Sequence, residues 1–164
     1  MNIVLCGMMG CGKTTVAAEL GKFGYTVVDT DGFIVGRYGE INKIFDSRGE
    51  EYFRDIESQI TAEVAKKYTN AVISLGGGCV LRAQNVKNLK ESGKIFYLRA
   101  SAQTIIGRLE GDTARPLLRG GLAERVNSVL TARAAVYESV ADFIIDTDGK
   151  TPQEIANTIR EKFL

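Results

Sequence analysis

Eight residues near the amino terminus form a pattern that could bind phosphate groups, Gly7-Met8-Met9-Gly10-Cys11-Gly12-Lys13-Thr14, and they follow a short apolar run. In this G-x-x-x-x-G-K-T pattern, glycines let successive backbone N–H groups point at one centre. A helix that begins directly afterwards aims the positive end of its dipole at the same point. Lys13 can reach the outer phosphates of a nucleotide, and the Thr14 hydroxyl can bind the Mg²⁺ that bridges them. The alternative, a glycine-rich turn with a chance Lys-Thr pair, leaves the rest of the pattern unexplained.

Two carboxylates follow the next apolar run, in Val27-Val28-Asp29-Thr30-Asp31. If the chain stays extended there, Asp29 and Asp31 point to the same side, with Cβ atoms roughly 7 Å apart. One carboxylate could help to hold Mg²⁺, and the other could accept a proton from a hydroxyl group that attacks the γ-phosphate of ATP. The sequence contains no histidine, so a carboxylate is the simplest candidate for a general base. Alternatively, one aspartate caps the following helix and the other is solvated.

Three further sets of residues are ambiguous by themselves. Arg54 and Glu57 share a helix face, which is typical of a surface ion pair. The segment Gly76–Gly78 ends a predicted strand; it would let a ligand approach backbone N–H groups, and it would also suit a flexible turn. Arg133 and Tyr137 lie four residues apart on a predicted helix, and this spacing alone favours a surface pair over a site.

A basic segment, Arg115-Pro116-Leu117-Leu118-Arg119, is framed by Gly111, Gly120 and Gly121. Such a segment could act as a mobile lid that excludes water from a transferring phosphoryl group. An arginine in the lid could neutralise the charge that develops on the phosphate oxygens. An ordinary mobile surface loop also fits this pattern.

The elements that must position these residues alternate between short apolar strands and amphipathic helices. This alternation predicts an α/β fold of the P-loop NTPase class, with three layers: a five-stranded parallel sheet, helices on both faces and a mobile lid. Ligands bind such sheets at the carboxyl ends of the strands, which is where the motifs above fall. The predicted strands are Asn2–Cys6, Thr26–Asp29, Ala71–Leu75, Lys94–Leu98 and Phe143–Asp146.

Apolar residues at helical spacing predict the intervening helices. The last helix has a clear start, because Thr151 can act as its N-cap, Pro152 takes the first helical position and Glu154 completes a capping box. Further helices are predicted around Val16–Phe23 and Ile56–Val64, and over Ala83–Ser92, Ala102–Leu109 and Leu122–Ser139.

The length and composition of the chain limit its number of domains, its partners and its cellular compartment. The chain has 164 residues, which suits a single domain, 1–164, with a substrate-binding segment at about 31–60 and a lid at about 110–122. Lys plus Arg (21) nearly balance Asp plus Glu (20), which argues against a nucleic-acid partner. Three cysteines without a zinc-binding pattern predict free thiols in a reducing compartment, and no apolar run is long enough for a membrane span. We therefore expect a monomer that binds a small molecule, in the cytoplasm or, alternatively, in the stroma of an organelle.

Taken together, these motifs resemble the shikimate kinase family over essentially the whole chain. The resemblance implies that ATP phosphorylates the 3-hydroxyl of shikimate, in the route through chorismate to the aromatic amino acids. Two features depart from the family pattern. The family usually has Pro-Leu-Tyr after the substrate arginine, where this chain has Arg133-Ala134-Ala135-Val136-Tyr137, and the lid after Arg115-Pro116 carries two adjacent glycines. The markers, in chain order, are Gly7–Thr14, Asp29-Thr30-Asp31, Phe53-Arg54 with Glu57, Gly76–Gly78, Arg115–Leu118, and Arg133 with Tyr137 before Ala141-Asp142.

The resemblance also implies a role for each marker. Asp31, Lys13 and Arg115 would be catalytic, with Asp31 contacting the shikimate hydroxyls as the base and Arg115 acting from the lid. Thr14 and Asp29 would hold Mg²⁺. Arg108 would flank one face of adenine and the loop Asp146–Pro152 the other. The nucleotide-binding residues would be Gly10, Cys11, Gly12, Lys13, Thr14, Thr15, Arg108 and Arg115. The shikimate-binding residues would be Asp31, Arg54, Gly76, Gly77, Gly78 and Arg133, with Glu57 fixing an arginine.

Three other functions compete with this interpretation. A related small-molecule kinase such as gluconate kinase would share the phosphate loop, but Arg54, Arg133 and the three glycines favour a cyclic carboxylate substrate. A nucleoside monophosphate kinase fits less well, because the region after Asp31 lacks the usual base-binding pattern. A nucleotide-binding regulator without turnover would not need Lys13, Thr14, Asp29, Asp31 and Arg115 together.

Overall fold

Five parallel strands form one sheet in the computed structural model, which describes residues 1–110 and 121–164. The strands are β1 (Asn2–Cys6), β2 (Thr26–Asp29), β3 (Ala71–Ser74), β4 (Gly93–Arg99) and β5 (Phe143–Asp146). Their order across the sheet is β2-β3-β1-β4-β5, so β1 is central. The predicted five-stranded parallel sheet is confirmed, although β3 ends one residue early and β4 extends one residue further at each end.

Each predicted helix is present between the strands, although the first ends at Gly21, before Phe23. Ala102–Leu109 extends to Glu110 and Leu122–Ser139 to Val140, and two short helices lie before the long helix Glu50–Lys67. The last helix begins as predicted: the Thr151 hydroxyl accepts from the Glu154 N–H at 3.2 Å, and the Glu154 carboxylate accepts from the Thr151 N–H at 2.8 Å. The helices are α1 (Lys13–Gly21), α2 (Thr30–Tyr38), α3 (Ile41–Arg48), α4 (Glu50–Lys67), α5 (Ala83–Ser92), α6 (Ala102–Glu110), α7 (Leu122–Val140) and α8 (Pro152–Phe163).

The core lies on both sides of the sheet. Every residue of β1 and β3 is buried, and side chains of a strand alternate between its two faces, so helices must cover both faces. One group of covering helices pairs α1 with α8, and another pairs α4 with α5. The edge strands β2 and β5 keep exposed positions, as strands with one open edge should. Among the described residues, no helix has the length and apolar character needed to cross a membrane.

The strand order differs from the simplest arrangement, in which β2 would lie beside β1. Instead β3 lies between them, paired with β1 through Ile3–Val72 and with β2 through Val28–Ile73. Because all strands are parallel, the segments that follow β1, β2 and β3 still meet at one edge of the sheet. The lid expected at about 110–122, with Arg115, falls almost entirely on residues 111–120, outside the described residues.

Candidate active site

A cavity of ≈1310 Å³ opens at the carboxyl ends of β1, β2 and β3. Single ligands of drug-like size occupy cavities of roughly 300–1,000 Å³, so this cavity has room for a nucleotide and a second small molecule. Each motif singled out from the sequence, among the described residues, contributes to its walls. The lining includes Gly10, Gly12, Lys13, Thr14, Thr15, Asp29, Asp31, Arg54, Glu57, Gly76, Gly77, Gly78, Arg108 and Arg133.

The phosphate loop has the backbone that its glycines predicted. Gly10 and Gly12 have φ angles of 85° and 102°, which side chains at these positions would strongly disfavour. The loop leads into α1 at Lys13 without a side-chain cap, so the first N–H groups of the helix face the cavity end of the loop. The Lys13 Nζ donates to the carbonyls of Gly7 at 2.6 Å and Met8 at 3.2 Å, which holds the ammonium over the loop. This arrangement can bind an anion of several charges.

The two aspartates do not share an extended strand, and that prediction is wrong. The strand ends at Asp29 and helix α2 begins at Thr30, because the Asp29 carboxylate caps the helix by accepting from the Asp31 N–H at 3.1 Å. The turn brings Asp31 towards β3: its Oδ1 lies 2.7 Å from the point that a Cβ on Gly76 would occupy. Asp29 therefore caps a helix, as the alternative interpretation had it, and it also lines the cavity.

Thr30 connects the aspartates to the glycine loop (Gly76–Gly78). Its side chain is fully buried, and its hydroxyl donates to the Ser74 carbonyl and accepts from the Gly76 N–H, each at 3.3 Å. These bonds cross from α2 to the end of β3. Nothing in the local pattern singled out Thr30, because a threonine between two aspartates suits a helix start equally well.

Arg54 and Glu57 form a buried ion pair, which corrects the surface pair favoured by their spacing alone. The Arg54 Nη1 donates to Glu57 Oε1 at 2.8 Å, and the Glu57 side chain is only 1% exposed. Burial raises the pKa of Glu57, while Arg54, and more weakly Arg133, oppose that rise. The second carboxylate oxygen, Oε2, is buried without a hydrogen-bond partner in the described residues and faces Gly76. A polar ligand at this point would satisfy it.

The glycine loop brings the two arginines together. A Cβ on Gly77 would lie 3.5 Å from Arg133 Nη1, and one on Gly78 would overlap the Arg54 guanidinium. Two guanidinium groups beside a backbone with no side chains can hold one planar carboxylate in a bidentate manner. The surface pair expected of Arg133 and Tyr137 is also wrong: Tyr137 is fully buried, and Arg133 lines the cavity.

Replacing Gly78 by alanine should impair this arrangement through sterics alone, since its φ of −98° is open to alanine. The added methyl group would displace the Arg54 guanidinium. We expect the KM for the carboxylate substrate to rise about 10- to 100-fold, because small misplacements of binding groups are costly. Steady-state kinetics would measure this rise.

The matched control is Gly36→Ala in α2, where an added Cβ meets no atom within 4 Å. This variant should keep wild-type kinetics and gain a little helix stability. Equal KM values for Gly78→Ala and the wild type would contradict the close packing of Arg54 on the glycine loop.

The expected adenine-binding residues lie beside the phosphate loop. The Arg108 Nη1 donates to the Gly10 carbonyl at 3.2 Å, and the Cγ of Leu109 in the same helix lies 3.1 Å from the point that a Cβ on Gly10 would occupy. From the loop Asp146–Pro152, Pro152 lines the cavity. Arg115, which is expected to act from the lid, lies outside the described residues.

The residues at the cavity fit a Mg²⁺ ion that is shared with phosphate groups. Thr14 and Asp29 offer hydroxyl and carboxylate oxygens, the ligands that Mg²⁺ prefers. Among residues 1–110 and 121–164, no group of three or more His, Cys, Asp or Glu could hold a metal without help. Mg²⁺ commonly binds through one or two protein oxygens, waters and substrate phosphates, so two protein ligands suffice.

Comparisons of the sequence and the fold with known proteins identify the family of this chain. A model of the family described as Shikimate kinase matches residues 9–163. A shikimate kinase of Thermodesulfovibrio yellowstonii is 46% identical over 165 residues, which cover 99% of this chain and 94% of that protein. A shikimate kinase of Caldicellulosiruptor bescii is 42% identical over 161 residues, with coverage of 96% and 92%. The solved structure of shikimate kinase from Acinetobacter baumannii in complex with shikimate has a TM-score of 0.90 and 32% identity, and the alignment covers 98% of this chain and 91% of that one.

Proposed function

This chain belongs to the shikimate kinase family, and from that premise we propose that it transfers the γ-phosphoryl group of ATP to the 3-hydroxyl of shikimate. The products are 3-phosphoshikimate and ADP. One observation carries the choice of substrate: Arg54 and Arg133 meet at the glycine loop beside Asp31, in the same cavity as the phosphate loop. Shikimate has one carboxylate and three hydroxyl groups, which match the two guanidinium groups and the neighbouring carboxylates.

We propose that the phosphate loop binds the β- and γ-phosphates of ATP. Its backbone N–H groups and the α1 amino terminus supply partial positive charge, and the Lys13 ammonium would move from the Gly7 and Met8 carbonyls to the phosphate oxygens. Thr14 and Asp29 would hold Mg²⁺, which would neutralise charge on the phosphates when bound. Cys11, Thr15 and Arg108 complete the nucleotide-binding set, together with Arg115.

The second substrate would enter with its carboxylate towards Arg54 and Arg133. Arg54 is already oriented by Glu57, so little side-chain entropy is lost on binding. The backbone of the glycine loop would contact the ring of shikimate. This arrangement directs the hydroxyl groups towards Asp31 and the phosphate loop.

The chemical step needs one proton acceptor and charge neutralisation. The shikimate 3-hydroxyl oxygen attacks the γ-phosphorus, its proton passes to the Asp31 carboxylate, and the bond between the γ-phosphorus and the bridging oxygen breaks to release ADP. The proton-accepting role of Asp31 rests on its position beside Gly76 and on the absence of histidine from the chain. Lys13 and Arg115 would stabilise the negative charge on the transferring group.

We propose further that the protein works as a cytoplasmic monomer without nucleic-acid or membrane partners. Nearly equal numbers of basic and acidic residues support the absence of a nucleic-acid partner, since nucleic-acid binding relies on a basic surface. All three cysteines carry free thiols, which suits a reducing compartment.

The test is ADP release with Mg²⁺ and ATP, with and without shikimate, gluconate or nucleoside monophosphates. We expect strong stimulation by shikimate alone. Stimulation by another acceptor would keep a kinase but overturn the proposed substrate site. Tight ATP binding without stimulation by any acceptor would favour the nucleotide-binding regulator.

A further inference from the structure

Tyr137 joins two parts of the candidate site that come from distant regions of the chain. From α7, its hydroxyl donates to the Gly77 carbonyl at 2.6 Å, across 60 positions in the sequence. Its side chain is fully buried and does not line the cavity. Arg133 lies one helical turn earlier, and a Cβ on Gly77 would meet both Arg133 Nη1 at 3.5 Å and the Tyr137 hydroxyl at 3.7 Å. Tyr137 therefore lies directly behind the place where an arginine meets the glycine loop.

We propose that Tyr137 is a positioning residue, which fixes the Arg133 guanidinium and the Gly77–Gly78 peptide in the arrangement that binds the substrate carboxylate. The inference rests on the proposed function and adds a residue that does not itself touch the substrate. Tyr137 acts through Arg133 and through the backbone, so its effect falls on substrate affinity more than on the chemical step.

The peptide geometry explains how a bond to a carbonyl can matter for binding. The Gly77 carbonyl and the Gly78 N–H belong to one planar trans peptide, so they point in opposite directions. When Tyr137 holds the carbonyl on one side, it orients the N–H to the other. The Gly76 N–H already donates to Thr30, whereas those of Gly77 and Gly78 have no partner in residues 1–110 and 121–164. These two donors are the ones left to face a ligand.

The surroundings of Tyr137 keep its hydroxyl protonated, so that it can donate a hydrogen bond. Burial raises the pKa of Tyr137, so the phenol stays protonated near neutral pH and remains a donor to Gly77. The Arg133 guanidinium opposes that rise by charge and by donating towards the hydroxyl oxygen. The ring packs against Tyr97 of β4, with centroids 5.1 Å apart and planes inclined at 30°. A ring held in this way has few alternative positions, so the hydroxyl stays at the Gly77 carbonyl.

Tyr137→Phe tests the proposal, since it removes the hydroxyl and keeps the ring. We expect the KM for shikimate to rise about 5- to 30-fold, because a buried carbonyl loses its donor and Arg133 loses a neighbour that fixes it. The kcat should change less than about threefold, and the KM for ATP should stay at the wild-type value. A purely structural role would not separate the two substrates in this way.

Tyr97→Phe is the matched control, because it removes a hydroxyl from the ring that packs against Tyr137 and leaves the bond to Gly77 intact. A second readout uses a shikimate analogue whose carboxylate is reduced to a hydroxymethyl group. The loss caused by Tyr137→Phe should shrink with this analogue, since Arg133 no longer has a carboxylate to bind. Unchanged kinetics in Tyr137→Phe, a KM effect matched by Tyr97→Phe, or an equal loss with the analogue would each overturn the proposal.

Failure of this proposal and failure of the proposed function give different results. A wild-type protein that shikimate does not stimulate contradicts the proposed function, and the inference falls with it. A wild-type protein that phosphorylates shikimate, together with a Tyr137→Phe variant of the same KM, contradicts the role of Tyr137 alone.

Discussion

Replacing Asp31 by asparagine should lower kcat about 10²- to 10⁴-fold, which is the range of general-base contributions. Asparagine keeps the shape of the side chain but cannot accept the hydroxyl proton. The Asp31 carboxylate helps to raise the pKa of the nearby Glu57, and the substitution removes this negative charge. Nucleotide affinity should remain nearly unchanged, because the phosphate loop supplies those contacts. Turnover and ATP binding, measured separately, would show this division.

Asp46→Asn is a suitable control for Asp31→Asn, since Asp46 is an exposed carboxylate in α3 that does not line the cavity. It changes net charge by the same amount and should leave kcat at the wild-type value. Wild-type turnover in Asp31→Asn would remove Asp31 as the base and leave only an orienting role for it.

Replacing Arg133 by alanine should raise the KM for shikimate about 30-fold or more, with a much smaller effect on the KM for ATP. The estimate follows from the loss of a charge-assisted contact at a partly buried site, which is worth about 2 kcal/mol or more. Arg133→Lys should recover only part of the affinity, because an ammonium keeps the charge but lacks the planar fork. Steady-state kinetics with each substrate varied in turn would measure the split.

The control for Arg133→Ala is Arg82→Ala. Arg82 forms its ion pairs with Glu51 and Asp55 at the protein surface, so its loss removes a guanidinium without touching the cavity. Equal increases of both KM values in Arg133→Ala would contradict a role in binding the shikimate carboxylate. They would point instead to a general disturbance of the cavity.

The parts of the fold that could be predicted are those that local rules determine. The phosphate loop, the strand positions and the Thr151 capping box each depend on residues close in sequence, whose spacing reports their geometry directly. The resemblance to shikimate kinases then grouped markers from the whole chain. This grouping is what turned ambiguous pairs such as Arg54–Glu57 into site residues.

The rest depends on contacts between distant segments. The position of β3 between β1 and β2 follows from packing of the whole sheet, and nothing in the strand sequences specifies it. The hydrogen bond from the Asp31 N–H to the Asp29 carboxylate starts a helix and so competes with extension of the strand. The prediction that Asp29 and Asp31 share one face of an extended strand is wrong because the helix begins between them. Tyr137 looked like a surface residue at helical spacing, since its partners, Gly77 and Tyr97, lie 60 and 40 positions away.

The position of the phosphate on the product tests the central claim most directly. Purified protein would be incubated with Mg²⁺, ATP and shikimate, and phosphorus–proton coupling in the NMR spectrum of the product would identify the modified hydroxyl group. We predict one phosphate, on the 3-hydroxyl, formed in equal amount to ADP. A phosphate on another hydroxyl would contradict the placement of Asp31 against the substrate, and ADP accompanied only by inorganic phosphate would contradict the transfer itself.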